Sequence, residues 1–452
     1  MASIGKKIFA SAMVVGDSAK KGIVLSDIDD TFISSGGGAL GQDQRFEHGT
    51  IYPGGPEMYL GLALGPDDRL PRLRGYVAEE SGKLCPEGVT WLSARAANTA
   101  IVKWFAGAIK PNDRISMALS DIGKKHGFSF GTSGGLYGKF KDNFSVKESS
   151  SSSKAHTKYT NLQQFFATCG SDRRHFFLGD NGEGDEILSI KLLESNMRSL
   201  QACFIHKVSR YPAKEVNRIA ATKFKDQGRL IYYETYLGAA TQAFIRKYLS
   251  ITGLVRVASA IFMSLHYSYC VIIRVILRYS TFHADSDSSS GDELDGKKGI
   301  KQMIKSAHFN TNSNKRLALL LEMKHASRKN YSDKQLINEL TKRVGDDFWS
   351  WCVSMQQDEL KFEKVINALT TTDNNISNDG IQAAAQCWRL RNKILHDWDQ
   401  SFVDPTVPAP RYDRLLKETL KKDVQIERQR IVIENLLSQL RSSVHSPESP
   451  RI

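Results

Sequence analysis

The chain lacks the features that mark several large classes of protein. Its six cysteines among 452 residues stand singly, at Cys85, Cys169, Cys203, Cys270, Cys352 and Cys387, with no Cys-x-x-Cys pair. No zinc site or disulfide-built secreted scaffold is legible in that spacing, and a reducing compartment fits it best. With 34 glycines and 12 prolines and no triplet period, a collagen-like chain is excluded. There is no zinc finger, RNP motif, Gly-rich basic repeat or other internal repeat, so no nucleic-acid partner is expected. A long apolar run is missing too. Residues 257–273 carry no Lys, Arg, Asp or Glu, but they include Ser264, His266 and Ser268 and only reach the lower limit of a bilayer span. A buried helix, an interfacial helix and a span are the alternatives there. At the start, Lys6 and Lys7 precede a short apolar stretch, residues 8–15, too brief for a convincing signal peptide and soon followed by the run Ile23-Val24-Leu25. A cytoplasmic protein, in peripheral contact with membrane at most, is the expectation.

What is present is a chain with 41% apolar and 25% charged residues, long enough for two or three folded units. Its formal net charge of +13 favours anionic partners such as a membrane surface or a phosphorylated substrate. Residues 22–31 begin with a β-branched apolar run and end in Asp27-Ile28-Asp29-Asp30-Thr31. Residues 88–92 lead likewise into Ser93-Ala94-Arg95, and residues 175–178 into Gly179-Asp180-Asn181-Gly182. Helix-like patterns over 94–108 and 186–200 fall between and after these runs. Short buried strands alternating with helices predict an α/β fold, a Rossmann-like parallel sheet flanked by helices. In such sheets sites form at the carboxyl ends of the strands, where all three runs deliver polar side chains.

Two low-complexity stretches interrupt the pattern. Residues 148–154 read as a flexible loop, and the acidic, Ser-rich residues 285–298 read as a linker. The predicted organisation is an α/β domain over 1–250, an apolar helical segment over 251–284, the linker over 285–298, and a mostly helical region over 299–452. Within the last, residues 411–441 carry an imperfect apolar stripe suited to a coiled-coil partner.

The chemistry centres on Asp27 and Asp29. Where a strand bends into a loop, both carboxylates can face one cavity. One can attack phosphorus and the other can shuttle a proton, with Mg²⁺ neutralising charge. A solvated acidic turn is the plain alternative. Motif by motif, the chain resembles the haloacid dehalogenase superfamily of aspartate-nucleophile phosphatases over roughly residues 22–189. The resemblance implies that Asp27 is phosphorylated and that Asp29 is the general acid and base. It implies that Ser93 hydrogen-bonds the phosphoryl oxygens and that Lys158, in Lys158-Tyr159-Thr160, balances their charge. Gly179, Asp180 and Asp185 match the closing acidic motif. Asp27, Asp180, Asp185 and the Asp29 carbonyl would then hold Mg²⁺, while Thr31 and Arg95 would serve substrate binding. An acid at position 29 separates a phosphatase from the ion pumps and dehalogenases of the same superfamily.

A narrower likeness rests on Asp27-Ile28-Asp29-Asp30-Thr31, Gly36-Gly37-Gly38, Tyr52-Pro53-Gly54, Leu92-Ser93-Ala94-Arg95 and Gly179-Asp180-Asn181-Gly182-Glu183-Gly184-Asp185. These resemble the catalytic domain of actin-patch-type phosphatidate phosphatases, related in kind to the lipins, with Glu183 where that family has Gln and Ala96 where it commonly has Pro. The runs Phe204-Ile205-His206 and 233–240 extend the likeness to about residue 250. It implies a phosphorylated lipid or small phosphomonoester as substrate and contact with an anionic membrane, to which Lys247, Arg274 and Arg278 could contribute. A catalytically silent scaffold or membrane- and partner-binding protein on the same fold is the alternative.

Overall fold

The structure is a computed structural model that describes residues 22–37, 42–66, 86–96, 114–138, 151–168, 173–274 (apart from 183, 196, 198, 209–215, 265 and 272), 346–371 and 378–403. Six strands build one sheet: β1 (Gly22–Ser26), β2 (Val89–Ala96), β3 (Thr132–Gly138), β4 (Arg174–Asp180), β5 (Leu200–His206) and β6 (Leu230–Tyr233). All neighbours are parallel, in the order β3-β2-β1-β4-β5-β6. The helices are α1 (Gly55–Leu64), α2 (Arg114–Lys125), α3 (Ser151–Thr168), α4 (Asp185–Glu194), α5 (Arg218–Asp226), α6 (Tyr236–Ile245), α7 (Ile251–Phe262), α8 (Asp346–Thr371) and α9 (Asn378–Val403). The expected α/β class, with a parallel sheet flanked by helices and helix in the C-terminal region, is what the chain adopts.

Every residue of β1 and of β4 is buried. That follows from a central position in a parallel sheet covered on both faces, where strands read as continuous apolar runs. Alternate residues serve opposite layers. Ile23, Leu25, Phe177, Cys203 and Ile205 pack with Ala155 and Leu162 of α3, Leu188 and Leu192 of α4, and Phe224 of α5. On the other face Trp91 meets Phe32 and Tyr59 edge-on or tilted, and Phe176 meets Tyr248. Helix α1 lies so close that a Cβ on Gly22 would sit 2.1 Å from the Leu62 carbonyl oxygen.

The chain begins in the middle of the sheet, steps outward through β2 and β3, then returns through α3 to place β4 beside β1 before stepping outward the other way. β1 and β4 therefore flank a topological switch point, where connections leave in opposite directions and open a crevice at the strand ends. Asp27 follows β1 directly and Asp180 is the last residue of β4, and the Asp27 N–H donates to the Leu178 carbonyl at 3.0 Å.

Several local expectations change. β2 runs to Ala96, so Ser93, Ala94 and Arg95 continue the strand and pair towards β3 rather than opening a helix at 94. The helix expected over 186–200 stops at Glu194, and Leu200 already belongs to β5. Ser151 to Lys154, expected in a loop, form the first turn of α3. Residues 257–273 are broken by a turn at 263–264, and Val257, Ala258, Ile261 and Phe262 are buried. Their apolar surface is spent on packing: Val257 and Ile261 crowd Gly54, which sits at φ +82°, where a side chain would both strain the backbone and clash. No described helix is long and apolar enough to cross a membrane.

The chain divides into two compact units, one of residues 1–270 with 338–391 and the other of 271–337 with 392–452. The sheet-bearing unit thus takes in α8 from beyond the acidic linker. Thr235 caps α6 by accepting from the Gly238 N–H at 3.1 Å, and its hydroxyl donates to Asp358 of α8 at 2.7 Å. Glu359 receives Arg391 of α9 at 2.6 Å. The linker 285–298 and the coiled-coil candidate 411–441 lie outside the described residues.

Candidate active site

Three carboxylates meet at the switch point. Asp27 follows β1, Asp180 ends β4, and Asp185 is the first residue of α4; each offers an oxygen within 4.8 Å of the others, and all three are buried. Lys158 enters from α3, 3% exposed, with its ammonium 3.0 Å from Asp27 Oδ1 and 2.6 Å from Asp185 Oδ1. Burial alone would drag the lysine pKa down, but the charges of Asp185 and Asp27 outweigh it and raise the pKa above the ordinary value. Lys158 is therefore a fixed cation at any physiological pH.

The glycines of the 179–185 turn explain how these groups fit. A Cβ on Gly179 would come within 2.6 Å of Asp185 Oδ2, so the bare backbone there makes room for that carboxylate over β4. Gly184 takes φ +98° against the Ser151 carbonyl and starts α4 directly before Asp185. Asp185 thereby lies at a helix N-terminus, where the unpaired N–H groups favour an anion. Asp180 Oδ1 accepts from the Gly182 N–H within the turn, and Asn181 Oδ1 accepts from the Val208 N–H at 2.9 Å, which ties the turn to the segment after β5.

Among the described residues, three buried carboxylates face the one ammonium of Lys158, an excess of negative charge in a space shielded from water. Such an excess is costly unless a cation balances it. The donors are all hard oxygens, so the residues present fit a divalent cation of the Mg²⁺ or Ca²⁺ kind, with room left for other oxygen ligands.

The structure gathers Asp27, Lys158, Asp180 and Asp185. The Asp29 side chain is not part of the carboxylate group; it is half-buried in the turn after β1, where its backbone bridges to Ile33. Thr31 is buried close by in sequence, with no hydrogen-bond partner for its Oγ1 among the described residues. The backbone of Ser93 and Arg95 lies in β2, and their side chains are outside the described set.

A second buried set holds the loop that follows. Asp30 adopts φ +56°, and its carboxylate accepts from the N–H groups of Ser35 at 2.9 Å, Gln42 at 2.6 Å and Asp43 at 3.3 Å. Burial raises its pKa despite those donors. His206 Nδ1 donates to the Asp30 carbonyl at 2.8 Å, and its Nε2 accepts from Arg45 at 3.0 Å, an arrangement that requires the neutral Nδ1–H tautomer. Burial and then the Arg45 charge push the His206 pKa down to about 3. Arg45 forks onto Asp43 at 2.9 and 3.1 Å, Tyr52 donates to the same carboxylate, and the His206 ring stacks on Tyr233. Burial opposes the Asp43 charge, but Arg45 and Tyr52 prevail and hold its pKa below the usual range. Gln42 carries the loop to the site, its amide donating to the Gly182 carbonyl at 3.4 Å. His206 is thus a structural histidine at the end of β5. The Asp43-x-Arg45 pair offered no signal before folding, because its partners lie at positions 52 and 206.

Comparison of the chain with protein-family models, curated proteins and solved structures finds no match in any of the three.

Proposed function

We propose that the protein is a divalent-cation-dependent phosphatase that uses Asp27 as nucleophile. The observation that carries the proposal is the meeting of Asp27, Lys158, Asp180 and Asp185, drawn from four separate elements, at the switch point of a parallel sheet. The Asp27 carboxylate attacks phosphorus, the bond to the leaving alkoxide breaks, and an aspartyl phosphate remains. Asp29, more exposed and outside the carboxylate group, protonates the alkoxide and then takes a proton from the water that releases phosphate. Lys158 pairs with Asp27 and offers positive charge to the phosphoryl oxygens. A bound Mg²⁺ would supply further charge neutralisation at those oxygens, held by Asp27, Asp180 and Asp185. Ser93, Arg95, Thr31 and the Asp29 carbonyl enter by the resemblance to haloacid dehalogenase phosphatases, as does phosphatidate as substrate.

The test is turnover of p-nitrophenyl phosphate and of phosphatidate in detergent micelles, with Mg²⁺ and with EDTA. Wild type is expected to be active and EDTA-sensitive. Asp27→Asn is expected to lose at least about 10³-fold, and Asp29→Asn roughly 10²- to 10⁴-fold, with unchanged circular dichroism. An Asp27→Asn protein as active as wild type refutes the scheme, and silence of the wild type on both substrates favours a scaffold.

A further inference from the structure

The sheet-bearing unit leaves its first segment at Cys270 and resumes at Asn338. Cys270, at the end of that segment, meets Cys352 of α8, with the two sulfurs 2.7 Å apart across 82 positions of sequence. Both side chains are thiols and both are buried, 0% and 5% exposed. A covalent S–S bond is about 2.05 Å, so closing the pair asks for a sulfur displacement of well under 1 Å. The other described cysteines are placed differently: Cys203 is directed at the Ser189 carbonyl and Cys387 at Ser259.

The surroundings make this contact more than a coincidence of packing. Phe46, at the end of the loop anchored by Asp30, lies against Trp351 at 5.0 Å and His266 at 4.7 Å between ring centres. Trp351 immediately precedes Cys352, and Tyr269 immediately precedes Cys270 and touches Phe348. Further along α8, Ser354 donates to Glu234, and Asp358 receives Thr235. The thiol pair therefore lies where α8, the helical stretch 266–271 and the Asp43–Phe46 loop are held together.

We propose that Cys270 and Cys352 form an intrachain disulfide when the protein meets a low-molecular-weight disulfide such as oxidised glutathione, fastening α8 to the stretch 266–271. In the first step one cysteine thiolate attacks a glutathione sulfur, which breaks the glutathione S–S bond and releases one glutathione thiolate. In the second, the other cysteine thiolate attacks the protein sulfur of the mixed disulfide and releases the second glutathione thiolate. Two protein thiols are oxidised, one glutathione disulfide is reduced, and the two thiol protons end on the two glutathiones. Neither thiol faces solvent, so the first step runs through local opening of α8 and is accelerated by mild denaturant.

The experiment uses the full chain. Protein is incubated with oxidised glutathione, in buffer and in urea below the unfolding midpoint, then alkylated under denaturing conditions and mapped by proteolysis and mass spectrometry. The expected result is a reductant-sensitive peptide joining Cys270 to Cys352. Cys270→Ser and Cys352→Ser should each abolish it, and the oxidised wild type should melt roughly 5 °C or more above the reduced form, as the size of the closed loop leads one to expect. The proposal is overturned if both cysteines are alkylated after oxidation in both media, if either keeps glutathione, or if either joins another cysteine. The wild-type map decides the matter even if a serine variant does not fold.

Discussion

Lys158 offers the sharpest test of the site, because its ammonium pairs with two of the three gathered carboxylates. Replacing it with Met keeps an unbranched side chain, one heavy atom shorter, and removes the charge. At an effective dielectric constant of about 20, attraction across 2.6 Å to Asp185 and 3.0 Å to Asp27 amounts to roughly 6 kcal/mol for each pair before the cost of desolvating the ammonium. That cost offsets much of the gain, and breaking such buried pairs one-sidedly costs about 3–5 kcal/mol net. In EDTA, Lys158→Met should therefore melt about 10 °C below wild type, taking roughly 2–4 °C per kcal/mol for a unit of this size. Mg²⁺ then discriminates between a cation site and an ordinary salt-bridge cluster. With the ammonium gone the buried site is more negative by one charge, so the melting temperature of the variant should rise more on adding Mg²⁺ than that of wild type. An Asp180→Asn substitution, which removes one donor, should shrink the Mg²⁺ increment in either background. Thermal melts at fixed ionic strength, with and without the metal, read all of this directly. A variant within about 0.5 kcal/mol of wild type in EDTA, or equal Mg²⁺ increments for the two proteins, refutes the cation-site reasoning.

Two further outcomes follow from the buried groups around the sheet. His175 lies at the far end of β4, edge-on to Phe165 and Phe166, and burial followed by the Arg173 charge depresses its pKa to about 4. A lowered value means that the unfolded chain binds the proton first, so stability present above about pH 6.5 is lost as the pH falls towards 4, by roughly 2–3 kcal/mol. His175→Phe should flatten that part of the urea-midpoint profile, and an unchanged profile would show that the histidine stays hydrated. Asp30→Ala should destabilise by roughly 3 kcal/mol, since three loop N–H groups lose their acceptor and alanine tolerates the positive φ poorly. Asp30→Asn keeps an acceptor and tolerates that backbone, so it should cost clearly less; equal losses in urea titrations would deny Asp30 its capping role.

Much of the sheet can be read from the chain, for a physical reason. A central parallel strand is buried on both faces, so β1 and β4 show as short unbroken apolar runs, and the polar residues that end them mark where the strands stop. The elements that resist reading lack this redundancy. β3 is Thr-Ser-Gly-Gly-Leu-Tyr-Gly at the edge of the sheet, exposed at 132–134 and carrying almost no apolar pattern. The first turn of α3 is Ser151-Ser152-Ser153-Lys154, a poor helix former that folds because Ala155, Lys158 and Leu162 further along are buried. The attachment of α8 to the sheet-bearing unit depends on Asp358 meeting Thr235 across 123 positions, on opposite sides of the acidic linker. No local signal announces such a pairing, and a Ser-rich linker reads as a boundary whether or not the chain returns beyond it.

The acidic string after β1 shows the same division at the scale of single residues. Asp27, Asp29 and Asp30 are chemically alike, and a motif assigns roles only to the first two. Backbone geometry separates all three. Asp27 still lies on the β1 ladder through its bond to Leu178, which aims its carboxylate at Asp180 and Lys158. Asp30 turns into the left-handed region, and its carboxylate points away to gather the loop that brings Gln42 to Gly182. Asp29, between them, is half-buried and partly open to water, and its carboxylate is not one of the three that meet at the switch point. That is the environment a proton shuttle needs, because a carboxylate held by a cation or by three N–H groups gives up and takes back protons poorly. The proposed acid and base role of Asp29 therefore draws on its partial exposure, whereas Asp30 holds the loop in place by accepting from the N–H groups of Ser35, Gln42 and Asp43.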